Sequence, residues 1–160
     1  MKIIGIDPGT NVTGYGVVDI QKEGVILLET GSINPRAKDP LEARIHKVYK
    51  VLDEILCQYN PEKLILEKLY AHYDYPMTVG ILGHVRGVIC LLCAQKNIVL
   101  VEESPKRVRK ALTGNGNASK LQTRRMVAHY LNLDEKKLTL DASDALALAL
   151  GYAQLQGRAI

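Results

Sequence analysis

A chain of 160 residues, 47% hydrophobic and 24% charged, has room for one domain with a sizeable core (residues 1–160) and too little for two. No apolar stretch is expected to reach the roughly 18 residues of a membrane span, no secretory signal opens the chain, and three cysteines make no disulfide framework. On these expectations neither a membrane partner nor a disulfide scaffold is expected, and the expected setting is the cytoplasm.

The first third reads as three strands in close succession. Residues 2–7 are nearly all apolar, as in a central strand covered on both faces. After the turn-prone Pro8-Gly9-Thr10-Asn11, strands are expected over 13–20 and 25–33, and such short connections favour an antiparallel meander. The period then changes. Asp39-Pro40 is a helix start, with Asp39 as cap and Pro at the first helical position, and Leu41, Ile45, Val48, Leu52, Ile55 and Leu56 follow at helical spacing. Residues 63–67 form a short buried strand, 70–76 a polar loop rich in tyrosine, 78–95 an apolar helix, and 98–101 a fifth strand. Ser104-Pro105 caps a short helix ending at Gly114, and two more helices cover about 119–131 and 141–156. This order predicts an α/β fold of ribonuclease H-like architecture: a mixed five-stranded sheet with helices on both faces.

Four carboxylates stand out. Asp7 and Glu67 each end an apolar strand, and Asp141 and Asp144 open a helical segment with no other charge. Burying an ionised carboxylate is costly unless it is paired or binds a metal. A lone strand-end acid is commonly a helix cap or a solvated edge, but ligands of open α/β sheets gather at the carboxyl ends of strands. Asp141 and Asp144, at i and i+3, project from one helix face. If that helix packs near the strand ends, all four acids meet and can hold hard divalent ions such as Mg²⁺. Two such ions about 4 Å apart can clamp the attacking and leaving oxygens of a phosphoryl displacement.

Charge points to the substrate. Lys106, Arg107, Arg109, Lys110, Lys120, Arg124 and Arg125 fall within residues 104–125, where there is no Asp or Glu. Concentrated positive charge suits a polyanion, against the plainer reading of two solvated helix faces. Gly114-Asn-Gly-Asn-Ala-Ser-Lys120 joins two basic helices, and its backbone amides are expected to approach an anion, with Lys120 able to neutralise charge on a phosphate. Tyr70 could stack on an exposed base or simply half-bury itself in its loop. Cys90 and Cys93 have the spacing of half a zinc knuckle, but they lie in an apolar run with no second pair and read as core or interface.

With these residues in place, the chain resembles the RuvC family of Holliday junction resolvases. The matching stretches are Gly5-Ile-Asp7-Pro-Gly9-Thr10 with Thr13-Gly-Tyr-Gly16, Glu67 with Tyr70, and Gly83-His-Val-Arg-Gly87-Val. Gly114-x-Gly116-x-Ala118-x-Lys120 and Asp141-Ala-Ser-Asp144-Ala-Leu-Ala complete them in family order. The resemblance implies an endonuclease that cuts four-way DNA junctions by paired symmetric nicks, leaving 5′-phosphate ends, in recombination and repair. It further implies two Mg²⁺ ions per site, with Mn²⁺ as a substitute, held by Asp7, Glu67, Asp141 and Asp144. Lys120 matches a catalytic lysine and Tyr70 an aromatic that engages a base. Lys106, Arg107, Arg109, Lys110 and Arg124 would join Lys120 and Tyr70 on DNA. The family pairs as a homodimer through the helix matching 78–95 and works with a branch-migration motor. Arg109 stands where a second lysine is expected, and residues 71–76 depart from the family's usual sequence.

Other readings remain at this point. An actin-like or sugar-kinase-like ATPase can begin with a similar Gly-Ile-Asp-x-Gly-Thr, but 160 residues do not supply two lobes. A non-catalytic DNA-binding module would not need all four acids, and a related nuclease could act on RNA or another branched DNA.

Overall fold

The first strand is apolar on both faces because both are covered. The computed structural model describes residues 1–9, 11–69, 76–158 and 160, the side chains of 76–78 excepted. In it β1 (Lys2–Asp7) is the middle strand of a five-stranded sheet. β2 (Thr13–Gln21) and β3 (Gly24–Ile33) continue from it as an antiparallel meander. Helix α1 (Leu41–Tyr59) leads to β4 (Lys63–Glu67), which lies parallel to β1 on its other side. Helix α2 (Pro76–Lys96) leads to β5 (Val99–Glu103), parallel to β4 at the edge. The order is therefore β3-β2-β1-β4-β5. Helices α3 (Pro105–Thr113) and α4 (Lys120–Tyr130), a short 3-10 turn (Glu135–Lys137) and helix α5 (Leu140–Leu155) complete the chain.

The two-residue period of the strands divides the core into two layers. Ile4, Ile6, Val17, Leu64 and Leu66 pack against Val48, Leu52 and Leu56 of α1 and Val85, Ile89 and Leu92 of α2. Ile3, Val18 and Ile65 pack on the opposite face against Leu146 and Leu150 of α5, with Val108 of α3 and Val127 of α4 behind them. The expected architecture, a mixed sheet with helices on both faces, is the one observed.

Some boundaries differ from expectation. The cap position of α1 is Pro40, not Asp39, whose carboxylate turns to Arg36 (3.8 Å) and makes no cap hydrogen bond. β5 runs to Glu103, so two acids, Glu102 and Glu103, belong to this strand end. Helix α2 also corrects the expectation about apolar length. Residues 79–96 form an 18-residue window of mean hydropathy 1.3, enough in length and composition for a membrane span. Its inward side, including Val85, Ile89, Leu92 and Cys93, is buried on the sheet. Leu91 on the outward side is 51% exposed.

Candidate active site

Asp7 and Glu67 reach the same place because β1 and β4 run in parallel register, Ile6 beside Leu66. Ile3 and Ile65 face α5, so residues an even number further along, Asp7 and Glu67, project from that same face. Helix α5 lies across these strand ends. Its N-cap, Thr139, accepts a hydrogen bond from the Ala142 amide (3.3 Å), which puts Asp141 in the first turn and Asp144 one turn later. The docking is tight. A Cβ on Gly14, the register partner of Asp7, would stand 2.1 Å from the Asp141 carbonyl oxygen.

Asp7, Glu67 and Asp144 line one cavity of about 150 Å³, together with Arg109, Lys120 and Thr123. Asp141 is not in that lining, but its charge still reaches Asp7. The expected quartet is thus a trio around a cavity with a fourth acid beside it. Burial, then the negative charges of Glu67 and Asp144, push the Asp7 carboxyl up to about 7, against the pull of Lys120. Glu67 is also raised, by burial first and by Asp144 next, while Arg109, Lys120 and Arg86 pull it down.

Lys120 is the first residue of α4, and its Nζ lies 2.5 Å from Asp144 Oδ2. That bond raises the ammonium's pKa. Among the described residues, no three His, Cys, Asp or Glu side chains stand close enough to hold a metal ion as they are. The donor set nevertheless fits one chemistry. It consists of carboxylate oxygens alone, held half-buried and mutually repelling, as a hard divalent cation requires.

A second cavity, of about 600 Å³, opens beside the first and shares Asp7, Glu67 and Arg109 with it. Lys68, Arg86 and Lys106 add positive charge to its wall, and Leu69, Leu82 and Pro105 add apolar surface. The basic stretch is divided by its partners. Arg107 pairs with Glu103 (3.3 Å), and Arg124 and Arg125 both pair with Glu135 (3.1 and 3.4 Å). Among the described residues, no acid lies in ion-pair range of Lys106, Arg109 or Lys110. Tyr70, like Thr10 and the rest of the 70–75 loop, lies outside the described residues.

Several amides of the glycine-rich segment are already engaged by side chains. The amide of Asn115 donates to Thr113 Oγ1, that of Asn117 to Asn115 Oδ1, and that of Ser119 to Gln122 Oε1. The last belongs to a capping box that starts α4. Gly116 lies against α3, where a Cβ would come within 3.1 Å of the Lys106 carbonyl oxygen. The loop's contribution is to place Lys120 at the head of α4.

Two features were not singled out from sequence. Arg86 of α2 donates from Nη1 to the Glu67 carbonyl (2.6 Å) and pairs through Nη2 with Glu102. Glu103 sits in register beside Glu67, with its side chain only 8% exposed. The available signal was a lone arginine in an otherwise uncharged helical run from 79 to 95.

A mixed sheet carrying acids at the ends of its two central parallel strands, crossed by a helix with two more, defines a nuclease of ribonuclease H-like fold. The chain matches the family Crossover junction endodeoxyribonuclease RuvC over residues 3–152. It is 39% identical over 148 residues to the crossover junction endodeoxyribonuclease RuvC of Rhodopirellula baltica, covering 92% of this chain and 83% of that one. The solved structure of Thermus thermophilus RuvC superposes with a TM-score of 0.88 at 26% identity, over 98% of this chain and 96% of that one. The same fold recurs, also at 0.88, in T. thermophilus RuvC in complex with Holliday junction substrate, at 23% identity and the same coverage. The chain belongs to the RuvC family of crossover junction endodeoxyribonucleases. Dependence on a divalent metal comes with that membership.

Proposed function

We propose that this chain, acting over 1–160 as one nuclease domain, resolves four-way DNA junctions by paired symmetric nicks, with Mg²⁺ as its metal and Mn²⁺ as a substitute. The observation that carries the reading is the convergence of Asp7, Glu67 and Asp144 with Lys120 on one cavity wall, beside a larger cavity lined by cations. Asp7, Glu67 and Asp144 would hold two ions, with Asp141 joining from the first turn of α5. Bound there, the ions would activate water and neutralise the leaving oxygen of an in-line displacement.

The protein's own groups divide the remaining work. Asp7 has to surrender its proton, which burial makes it keep up to about pH 7. Lys120 Nζ is placed to neutralise the charge that builds on the phosphate oxygens, once it exchanges Asp144 for the substrate. Lys106 and Arg109, on the wall of the larger cavity, would hold the flanking backbone, with Lys110 further along α3. Arg107 and Arg124 would reach DNA only by loosening their ties to Glu103 and Glu135. Tyr70 would engage a base at the crossover. The outward face of α2 would pair two copies about a two-fold axis, which suits cuts at symmetric positions. Such an enzyme works in the cytoplasm beside a branch-migration motor.

The test is incubation with a four-way junction, a plain duplex and an RNA–DNA hybrid, with and without Mg²⁺. Paired nicks in the junction alone are expected. Equal cutting of all three would overturn the junction reading, and junction binding with no cutting in any metal would leave only a binding module.

A further inference from the structure

Arg86 occupies an unusual place. It is the one charged side chain in the helical run from 79 to 95, and it is 12% exposed. A guanidinium buried to this degree has to be matched by acceptors, and it finds them on two different strands. Nη1 donates to the backbone carbonyl of Glu67, the last residue of β4, at 2.6 Å. Nη2 pairs with the carboxylate of Glu102, the residue of β5 in register with Leu66.

β4 and β5 are parallel, and β4 ends at Glu67. Past that point, among the described residues, the Lys68 amide, bonded to the Glu103 carbonyl at 2.9 Å, continues the connection between the strands. The Glu67 carbonyl therefore belongs to the last residue of its strand, and the planar fork of Arg86 binds it there from α2.

From this geometry we infer that Arg86 is a positioning residue for the nuclease reaction: by clamping the Glu67 carbonyl and Glu102 together, it holds the Glu67 carboxylate in the orientation that metal binding needs. The inference rests on Glu67 being a metal ligand. The guanidinium spans both acceptors at once, so a lysine, with one ammonium, can hold only one of them. Helix α2, whose other side is the proposed pairing face, is thereby tied to the carboxyl end of β4.

The experiment compares Arg86→Met, Arg86→Lys, Glu102→Gln and Glu67→Gln with the parent. Single-turnover cleavage is measured against Mg²⁺ concentration, junction affinity is measured in EDTA, and Mn²⁺ binding is measured by calorimetry without DNA. Outer partners of metal ligands typically contribute about 10–100-fold in affinity or activity, so Arg86→Met should weaken Mn²⁺ binding and raise the Mg²⁺ midpoint within that range. Junction affinity in EDTA should stay within about twofold, since Nη1 and Nη2 of Arg86 are engaged by the Glu67 carbonyl and Glu102 and the sequence-independent part of binding follows cations that meet phosphate. Arg86→Lys and Glu102→Gln should each fall between the parent and Arg86→Met.

Unchanged metal binding in Arg86→Met would overturn the inference, as would a parallel loss of junction affinity, which would make Arg86 a DNA contact. If Arg86→Met does not fold, Arg86→Lys and Glu102→Gln decide by the same criteria. Full activity in Glu67→Gln would remove the reading of Glu67 as a ligand. Inactive Glu67→Gln beside an unaffected Arg86→Met would remove only the positioning role.

Discussion

Gly5 of β1 passes so close beneath Ala145 of α5 that a Cβ on Gly5 would stand 2.0 Å from the Ala145 carbonyl oxygen and 3.0 Å from the Ala149 amide nitrogen. Both neighbours are backbone and cannot rotate away. The absence of a side chain at residue 5 is what lets α5 lie flat on β1 and carry Asp141 and Asp144 to the strand ends. Gly5→Ala must lift the helix, and forcing a methyl into a filled core typically costs about 1–3 kcal/mol. Thermal melting should show that loss, and cleavage should fall further than stability, because the acids of α5 move away from Asp7 and Glu67. Gly16→Ala makes a useful contrast: its nearest obstacle is the Leu146 side chain, with Cδ2 at 2.4 Å, so yielding is easier. Equal effects from the two substitutions would disprove this account of the docking.

Asp7 is held at a cost to stability. Its carboxyl titrates near 3.8 in the unfolded chain and about 7 in the folded one, so between those values the folded state binds more protons. Stability contributed by the neutral acid is present below about pH 4 and is lost as the pH rises to about 7. The full difference corresponds to at most about 4 kcal/mol. Asp7→Asn should abolish cleavage yet raise the melting temperature in EDTA at pH 8, by about 2–4 °C for each kcal/mol recovered. That gain should shrink toward zero at pH 4. A variant that melts lower than the parent at pH 8 would contradict the picture.

The same proton links pH to metal. A divalent ion binds the carboxylate and not the acid, so binding below pH 7 must release the Asp7 proton. At sub-saturating Mg²⁺ the cleavage rate should fall as the pH drops through about 7, and raising Mg²⁺ should move that limb to lower pH. Calorimetry in buffers of different ionisation enthalpy should report proton release near pH 6.5. A limb that stays in place at every Mg²⁺ concentration would assign it to another group.

Much of this site was legible in the chain because strand-end position and helix phase are local properties. Asp7 and Glu67 each close an apolar run, and parallel register aligns them without further information. The unequal standing of Asp141 and Asp144 was not legible, since it depends on how closely α5 approaches β1 and β2, and hence on Gly5 and Gly14. The basic stretch misled in one respect. Sequence showed no acid within residues 104–125, but Glu103 and Glu135 lie just outside it and take up Arg107, Arg124 and Arg125. The glycine segment suggested exposed amides, whereas side chains of Thr113, Asn115 and Gln122 take up those of Asn115, Asn117 and Ser119.

That division of the basic residues has a measurable consequence. Arg109 lines both cavities, while Arg124, 22% exposed, is held by Glu135. Replacing a phosphate-contacting cation should lower the salt slope of junction binding by about one and weaken binding regardless of sequence. Arg109→Ala should do this in Ca²⁺ or EDTA. Arg124→Ala should leave the slope nearly unchanged and act instead on stability, through the loss of its tie to Glu135. Equal slopes for both variants would mean that the ion pairs with Glu135 open on DNA.

Helix α2 carries the last prediction. Its inner side is core, but an added Cβ at Gly80, Gly83 or Gly87 would meet nothing within 4 Å, and Leu91 is half exposed. A face of small residues ending in a leucine allows a second helix to approach closely across a two-fold axis, where every substitution is presented twice. Leu91→Glu would set two carboxylates near each other in an apolar contact. Light scattering should show a shift from dimer to monomer at micromolar concentration, with the fold intact by circular dichroism, because Leu91 belongs to neither core layer. Junction cutting should then become uncoupled, giving single nicks in place of paired ones, and should recover as protein concentration rises. A Leu91→Glu protein that remains dimeric and cuts in pairs would place the pairing surface elsewhere.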